Sequence, residues 1–267
     1  MKKHQAYNAR LRFLTVLLLS LLYTAIVPLA AADQPCHLTI GWDPWAPYQY
    51  IDHNGTLIGL DVELVSSTVK HMGCVLEYQE MPWKRLLVSI KNGHIDLAAG
   101  ATVTEDRKQW SYTSQSYRKD EISLFMLKEE VDKYPYTSIT TLLENTNIRI
   151  GMLRGAYLGK EIKKLSDDPK TKNNFQFVTM DSQNPRKLIA KYIDGYLANR
   201  VAGRQYLRET NDLNEIEIHP MHVFSSTTHL LFSKKTTTPE LVERFNKSLL
   251  TLQTNGSHQK IISKYLE

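Results

Sequence analysis

Residues 100–107, Gly-Ala-Thr-Val-Thr-Glu-Asp-Arg, carry the clearest chemical instruction in the chain. They follow an apolar run at 95–99 that reads as a buried strand, so a turn of small residues stands at a strand's carboxyl end. Such a turn presents free backbone N–H groups and hydroxyls, and open α/β sheets bind ligands at that end of their strands. Arg107 stands five residues after Thr102, and a planar guanidinium can hold a carboxylate through two parallel charge-assisted hydrogen bonds. Gly100, Thr102 and Arg107 together describe a carboxylate receptor. The plainer alternative is a solvated arginine after a turn, the commoner fate of the residue.

Other residues could complete such a receptor. The proline-punctuated loop 42–50 holds Trp45 and Tyr48, and aromatics on a loop at a strand's end either wall a ligand or pack the loop down. Trp83 and Arg85 open a helix that should start at Pro82 and stop at Gly93, which brings them near the same strand ends; a solvated Arg85 is the competing reading. No cluster of residues has metal-ligand spacing, the two cysteines having no histidine nearby at such spacing, and no glycine-rich loop matches a phosphate cradle, so neither metal nor cofactor is expected.

The elements that position these residues come in two series. Strands are expected at 37–41, 75–78, 95–99 and 122–127, with a helix whose apolar stripe is Ile58, Val62, Val65, Val69 and Met72 and whose stop is Gly73. The strand, turn and helix logic restarts at 148–153, with a turn at 154–157, a helix at 158–165, strands at 175–178 and 194–198, and a return strand at 228–232. Pro239 opens a helix, and Gly256 separates it from a last amphipathic one. Two α/β lobes are the economical reading, with connections near 125–130 and 222–230 forming a hinge.

Residues 1–32 are a separate object. Lys2, Lys3, Arg10 and Arg12 form a basic region, 13–26 an apolar one too short for a bilayer span, and Leu29 to Ala32 a small-residue cleavage site. A secretory signal removed after Ala32 is expected. Losing those four basic residues, with no acid among them, lowers the formal charge from +5 to +1 and leaves no electrostatic footprint for nucleic acid. The exported part keeps Cys36 and Cys74, each at the start of a strand. If those strands are parallel neighbours, a disulfide is geometrically easy.

Gly55 with Gly59-Leu-Asp61, then Trp83-Lys-Arg85, Gly93-His-Ile-Asp96, Thr102 to Arg107, Asp194-Gly-Tyr196 and Gly256 with Lys264-Tyr-Leu266, all in an exported chain, resemble the family 3 extracellular solute-binding proteins of ABC importers. The resemblance covers essentially the whole mature chain. It implies a two-lobe periplasmic-binding-protein fold of type II, each lobe a mostly parallel sheet with flanking helices, joined by a two-strand hinge, with 33–127 and 228–267 in one lobe and 128–227 in the other. It implies a monomer that closes on an amino acid and serves an inner-membrane ABC permease. Arg107 would hold the α-carboxylate, with donors from Gly100 and Thr102 and cover from Trp45 or Tyr48. A helix N-terminus at Gly155, Ala156 and Tyr157 would face the ligand from the second lobe. The family's ammonium-binding aspartate falls at Asn199, an amide without charge, and the turn at Ala156 and Tyr157 lacks the usual hydroxyl pair. Asp181 or another acid would then supply the missing charge, or the ligand lacks a conventional α-ammonium.

Two other functions fit the same scaffold. A periplasmic enzyme of the cyclohexadienyl dehydratase kind would need a general acid or base among Glu80, Glu105 and Asp181, with His94 and His229 reading as ordinary fold residues. A sensor module would need a separate membrane receptor, since no kinase or second membrane segment precedes Glu267.

Overall fold

The computed structural model describes residues 36–210 and 212–266; the signal segment expected over 1–32 lies outside them. The first strands in chain order are β1 (Cys36–Trp42), β2 (Tyr50–Ile51), β3 (Leu57–Ile58), β4 (Cys74–Glu80), β5 (Leu97–Ala101) and β6 (Ser111–Thr113). There follow β7 (Arg118–Leu127), β8 (Ile150–Leu153), β9 (Phe175–Val178), β10 (Gly195–Asn199), β11 (Ile216–Ile218) and β12 (Phe224–Ser233). The large sheet runs β4-β1-β5-β12-β7-β10-β8-β9. At one end β4, β1 and β5 are mutually parallel, and at the other so are β10, β8 and β9. The two long strands between them, β12 and β7, run antiparallel to each other and to their outer neighbours. This is an α/β fold of two lobes joined by two strands.

The pairing locates that junction. Phe224–Thr228 of β12 pair with Arg118–Ile122 of β7; beyond that point β12 turns to β5 and β6, and β7 to β10. Each end has its own core. One gathers Leu38, Leu64, Val69, Leu97, Phe232 and Phe245, the other Leu124, Leu142, Ile150, Ile162, Phe175 and Leu197.

Local chemistry explains the helices that flank the site. Leu60–His71 carries Asp61 and Glu63 in its first turn and Lys70 and His71 in its last, complementing its dipole, and Gly73 at φ 75° follows its end. Its buried face is Leu60, Leu64, Val65, Thr68 and Val69, not the stripe through Ile58 and Val62, because Ile58 belongs to β3 and the helix begins two residues later. Trp83–Asn92 starts after Pro82 and ends at left-handed Gly93. In the second lobe the helix after the turn at 154–157 is Lys160–Asp167, with Gly159 before it. Cys36 and Cys74 stand opposite each other in the β1–β4 register with Cα atoms 4.6 Å apart and form the disulfide.

Candidate functional site

A cavity of about 80 Å³ lies between the lobes, enough for several water-sized groups. From the first lobe it is lined by Asp43, Trp45, Trp83, Gly100, Thr102 and Arg107, and from the second by Ala156, Tyr157, Asp181 and Asn199. Asp120 of β7 and Ser226 of β12 line it where the lobes meet.

Arg107 belongs to the short helix Glu105–Trp110, started by Thr104, whose hydroxyl accepts the Arg107 N–H at 3.2 Å. Arg107 is 5% exposed, yet among the described residues its side chain bonds no carboxylate: Nη1 donates to the Thr102 carbonyl at 2.7 Å and Nη2 to the Gly155 carbonyl at 3.2 Å. Burial pulls the guanidinium's pKa down to about 10, with the charge of Asp106 only partly opposing it. The face of Trp83 lies 5.5 Å from the guanidinium, and Trp83 Nε1 shares the same Gly155 carbonyl at 3.2 Å. Arg107 is thus held between lobes by neutral groups, with its charge left for an anion.

Gly100 sits at φ +77°, and a Cβ there would come within 2.9 Å of the Trp45 ring. Only glycine both takes that backbone and lets the indole lie over it. Trp45 packs on Tyr48 with centroids 4.4 Å apart, and its Nε1 is buried without a partner.

The acidic side of the cavity is Asp43 and Asp181. Residue 181 is only partly covered, but its Oδ1 is sealed from solvent and has no partner, and burial lifts its carboxyl to about 7. Asp43 is also pushed up to about 7, by burial first and by the charge of Asp181 second, and among the described residues its side-chain partner is Gln49 Nε2 at 3.2 Å. Two desolvated carboxyls that pair with no basic group among the described residues form a site that a positive group would complete.

Several expected residues have other tasks. Tyr48 is 1% exposed and does not line the cavity; its hydroxyl donates to Asn199 Oδ1 at 3.1 Å and its ring underlies Arg118 at 3.8 Å. Arg85 points to solvent from its helix. The Gly100 N–H is taken by the Tyr117 hydroxyl at 2.8 Å, so it is not the ligand donor that the turn suggests. Residues 155–157 are not a helix N-terminus: the helix starts at Lys160, the Ala156 N–H closes a turn on the Leu153 carbonyl, and Gly155 offers its carbonyl instead. Thr102 does line the cavity, its hydroxyl 3.2 Å from that of Ser226. Asn199 is absorbed locally, its Oδ1 accepting the N–H groups of Val201 (3.0 Å) and Ala202 (2.9 Å) and so capping the helix Arg200–Thr210.

Asp43 and Asp120 escape a reading by motif. Asp43 stands two residues before Trp45 in the same aromatic loop, a signal that could have found it; Asp120 hides in the charged run Arg118 to Glu121, which resembles a solvated strand. Of the acid–base candidates for catalysis, Asp181 lines the cavity, whereas Glu80 and Glu105 are exposed, and the ring of His229 bonds Thr227 and the Ser114 carbonyl.

Comparison with known proteins agrees with this geometry. The family model described as bacterial extracellular solute-binding proteins, family 3, matches residues 38–267. The arginine-binding periplasmic protein of Mannheimia haemolytica is 25% identical over 252 residues, covering 93% of this chain and 97% of its own length. The histidine-binding periplasmic protein of Escherichia coli K12 is 24% identical over 248 residues, covering 89% and 90%. Among solved structures, an ancestral arginine-binding protein bound to arginine superposes with a TM-score of 0.74 at 21% identity, over 88% of this chain and all of that one.

Proposed function

Starting from a chain that belongs to the bacterial extracellular solute-binding proteins, family 3, we propose that it captures a free α-amino acid with a cationic side chain in its interlobe cavity. The observation that carries this reading is Arg107: buried, bonded only to carbonyls, and lining the cavity with its charge unanswered. A ligand carboxylate supplies the missing anion. At the acidic side, Asp43 and Asp181 suit a guanidinium, ammonium or imidazolium, in keeping with relatives named as arginine- and histidine-binding proteins.

Capture is closure, not chemistry. The contacts of Arg107 and Trp83 with Gly155, and of Tyr48 with Asn199, join the lobes, and a ligand bridging both sides shifts the population toward this closed arrangement. The division of lobes at 33–127 with 228–267 against 128–227 is kept as part of the proposal, with bending placed in the paired stretch Arg118–Ile122 and Phe224–Thr228, slightly before the boundary suggested by the sequence. In this reading the mature protein is a periplasmic monomer, freed of residues 1–32, that delivers its ligand to an ABC permease.

The test is isothermal titration of the mature protein with the common amino acids, repeated on Arg107→Ala. A cationic amino acid should bind tightly, and the variant should lose at least two orders of magnitude in affinity. Silence across the panel sinks the proposal. The enzymatic alternative rests on Asp181 alone, and it would gain ground if a bound carboxylic acid were converted and Asp181→Asn abolished the conversion.

A further inference from the structure

Carboxylate capture by Arg107 leaves one buried polar cluster unused. The Arg118 guanidinium donates to both oxygens of Asp61, Nε to Oδ1 at 2.8 Å and Nη2 to Oδ2 at 3.0 Å. The rings of Tyr48, Trp45 and Tyr117 surround it at 3.8, 5.1 and 5.7 Å. Its Nη1 bonds Asp120 Oδ1. That same oxygen accepts Asn199 Nδ2 at 3.0 Å. The side chains of Arg118, Asp61 and Asp120 are 2%, 0% and 8% exposed, and among the described residues no other basic group pairs with either acid. One guanidinium against two carboxylates leaves a single negative charge buried and uncompensated.

That charge belongs to Asp120. Asp61 is saturated by its two-pronged pair, whereas Asp120 shares Arg118 with it and lines the cavity. Its place relative to Arg107 follows from three links. Thr102 gives its carbonyl to Arg107, its hydroxyl lies 3.2 Å from that of Ser226, and Ser226 stands directly opposite Asp120 in the β7–β12 register. Thr102 and Ser226 thus link the anion receptor to the excess negative charge, and all four residues line one small cavity. In an α-amino acid the carboxylate and ammonium are attached to the same carbon, so a ligand seated on Arg107 holds its ammonium within that reach.

We propose that Asp120 receives the ligand's α-ammonium and is the residue that distinguishes amino acids from other carboxylates, while Asn199 positions it. This rests on the reading that the cavity takes a cationic amino acid. Ammonium binding would bring the cluster to neutrality. The Asn199 amide, spent on the Tyr48 hydroxyl, the helix cap and Asp120 Oδ1, is a strut that fixes the carboxylate. Asp43 and Asp181 remain for the side chain.

The experiment titrates L-arginine and 5-guanidinopentanoic acid, the same molecule without its α-amino group, into wild type, Asp120→Asn, and the double variant Asp120→Asn with Asn199→Asp. Wild type should prefer L-arginine by more than thirtyfold. Asp120→Asn should lose that preference while binding 5-guanidinopentanoic acid within a few-fold of wild type, a readout that also shows the variant is folded. The double variant, which moves the carboxylate across a 3.0 Å contact, should recover at least part of the preference. A preference retained in Asp120→Asn overturns the assignment, as does an equal loss of both ligands with no recovery in the double variant. If wild type binds neither molecule, the cationic amino-acid reading falls first and this assignment with it; if it binds both alike, only this assignment falls.

Discussion

Asp181→Asn should stabilise the unliganded protein and weaken ligand capture at once. Burial alone raises the Asp181 carboxyl from 3.8 to about 7, and its Oδ1 has no partner. A pKa unit corresponds to about 1.4 kcal/mol, so keeping this acid folded at pH 7 costs at most ~4 kcal/mol. Local relaxation makes ~2 kcal/mol a fairer figure. The sign follows from proton uptake. The folded pKa lies above the unfolded one, so between about pH 4 and 7 the native state holds a proton that the unfolded chain has released, and stability falls as pH rises through that window. An amide has no such dependence. At roughly 2–4 °C per kcal/mol for a domain of this size, Asp181→Asn should raise the unliganded Tm by about 4–8 °C at pH 7 and by little at pH 4. The same variant should show a smaller Tm increase on adding L-arginine, because the carboxylate that balanced the side chain is gone. Differential scanning calorimetry at the two pH values, with and without L-arginine, reads all of this. A variant less stable than wild type at pH 7, or one whose arginine response is unchanged, refutes the view of Asp181 as an acid held for a ligand cation.

Two further predictions follow from the same site and frame. Affinity for L-arginine should rise several-fold from pH 6 to 8, because Asp43 and Asp181, both lifted to about 7, lose their protons there; a flat profile by titration calorimetry would remove them from the binding surface. Reducing the Cys36–Cys74 bond, which closes a loop of 38 residues, should cost about 3–4 kcal/mol in the chain-entropy model and lower Tm by roughly 6–16 °C. Scanning with and without a reductant checks this, and an unchanged Tm would show that the β1–β4 pairing holds without its covalent staple.

Fold and site were legible in the sequence to different depths, for a physical reason. Strand and helix periodicity, Pro82, Gly73 and Gly93 report local backbone preferences, so the elements flanking the cavity fall close to where their residues say. Arg107 was legible too, since its place after a small-residue turn is a local fact. What escaped was which groups are already spent. Tyr48 and Arg85 look like site residues from spacing, yet one supports Arg118 and the other faces water; the Gly100 N–H is consumed by Tyr117, seventeen residues away. Asn199 shows the limit most sharply. By position it reads as a lost charge, and position alone cannot tell that Asp120, distant by 79 residues, stands 3.0 Å from its amide with an unbalanced charge. Long-range pairing across β7 and β12 decides whether a carboxylate near the cavity is neutralised or left over. On the reading proposed above, ligand chemistry in this cleft is set by the remainder after internal pairing: one positive charge at Arg107, one negative at Asp120, and a protonatable acidic pair at Asp43 and Asp181. A zwitterion with a cationic tail matches that remainder, and an amino acid with a neutral side chain would leave the acidic pair desolvated and unpaired.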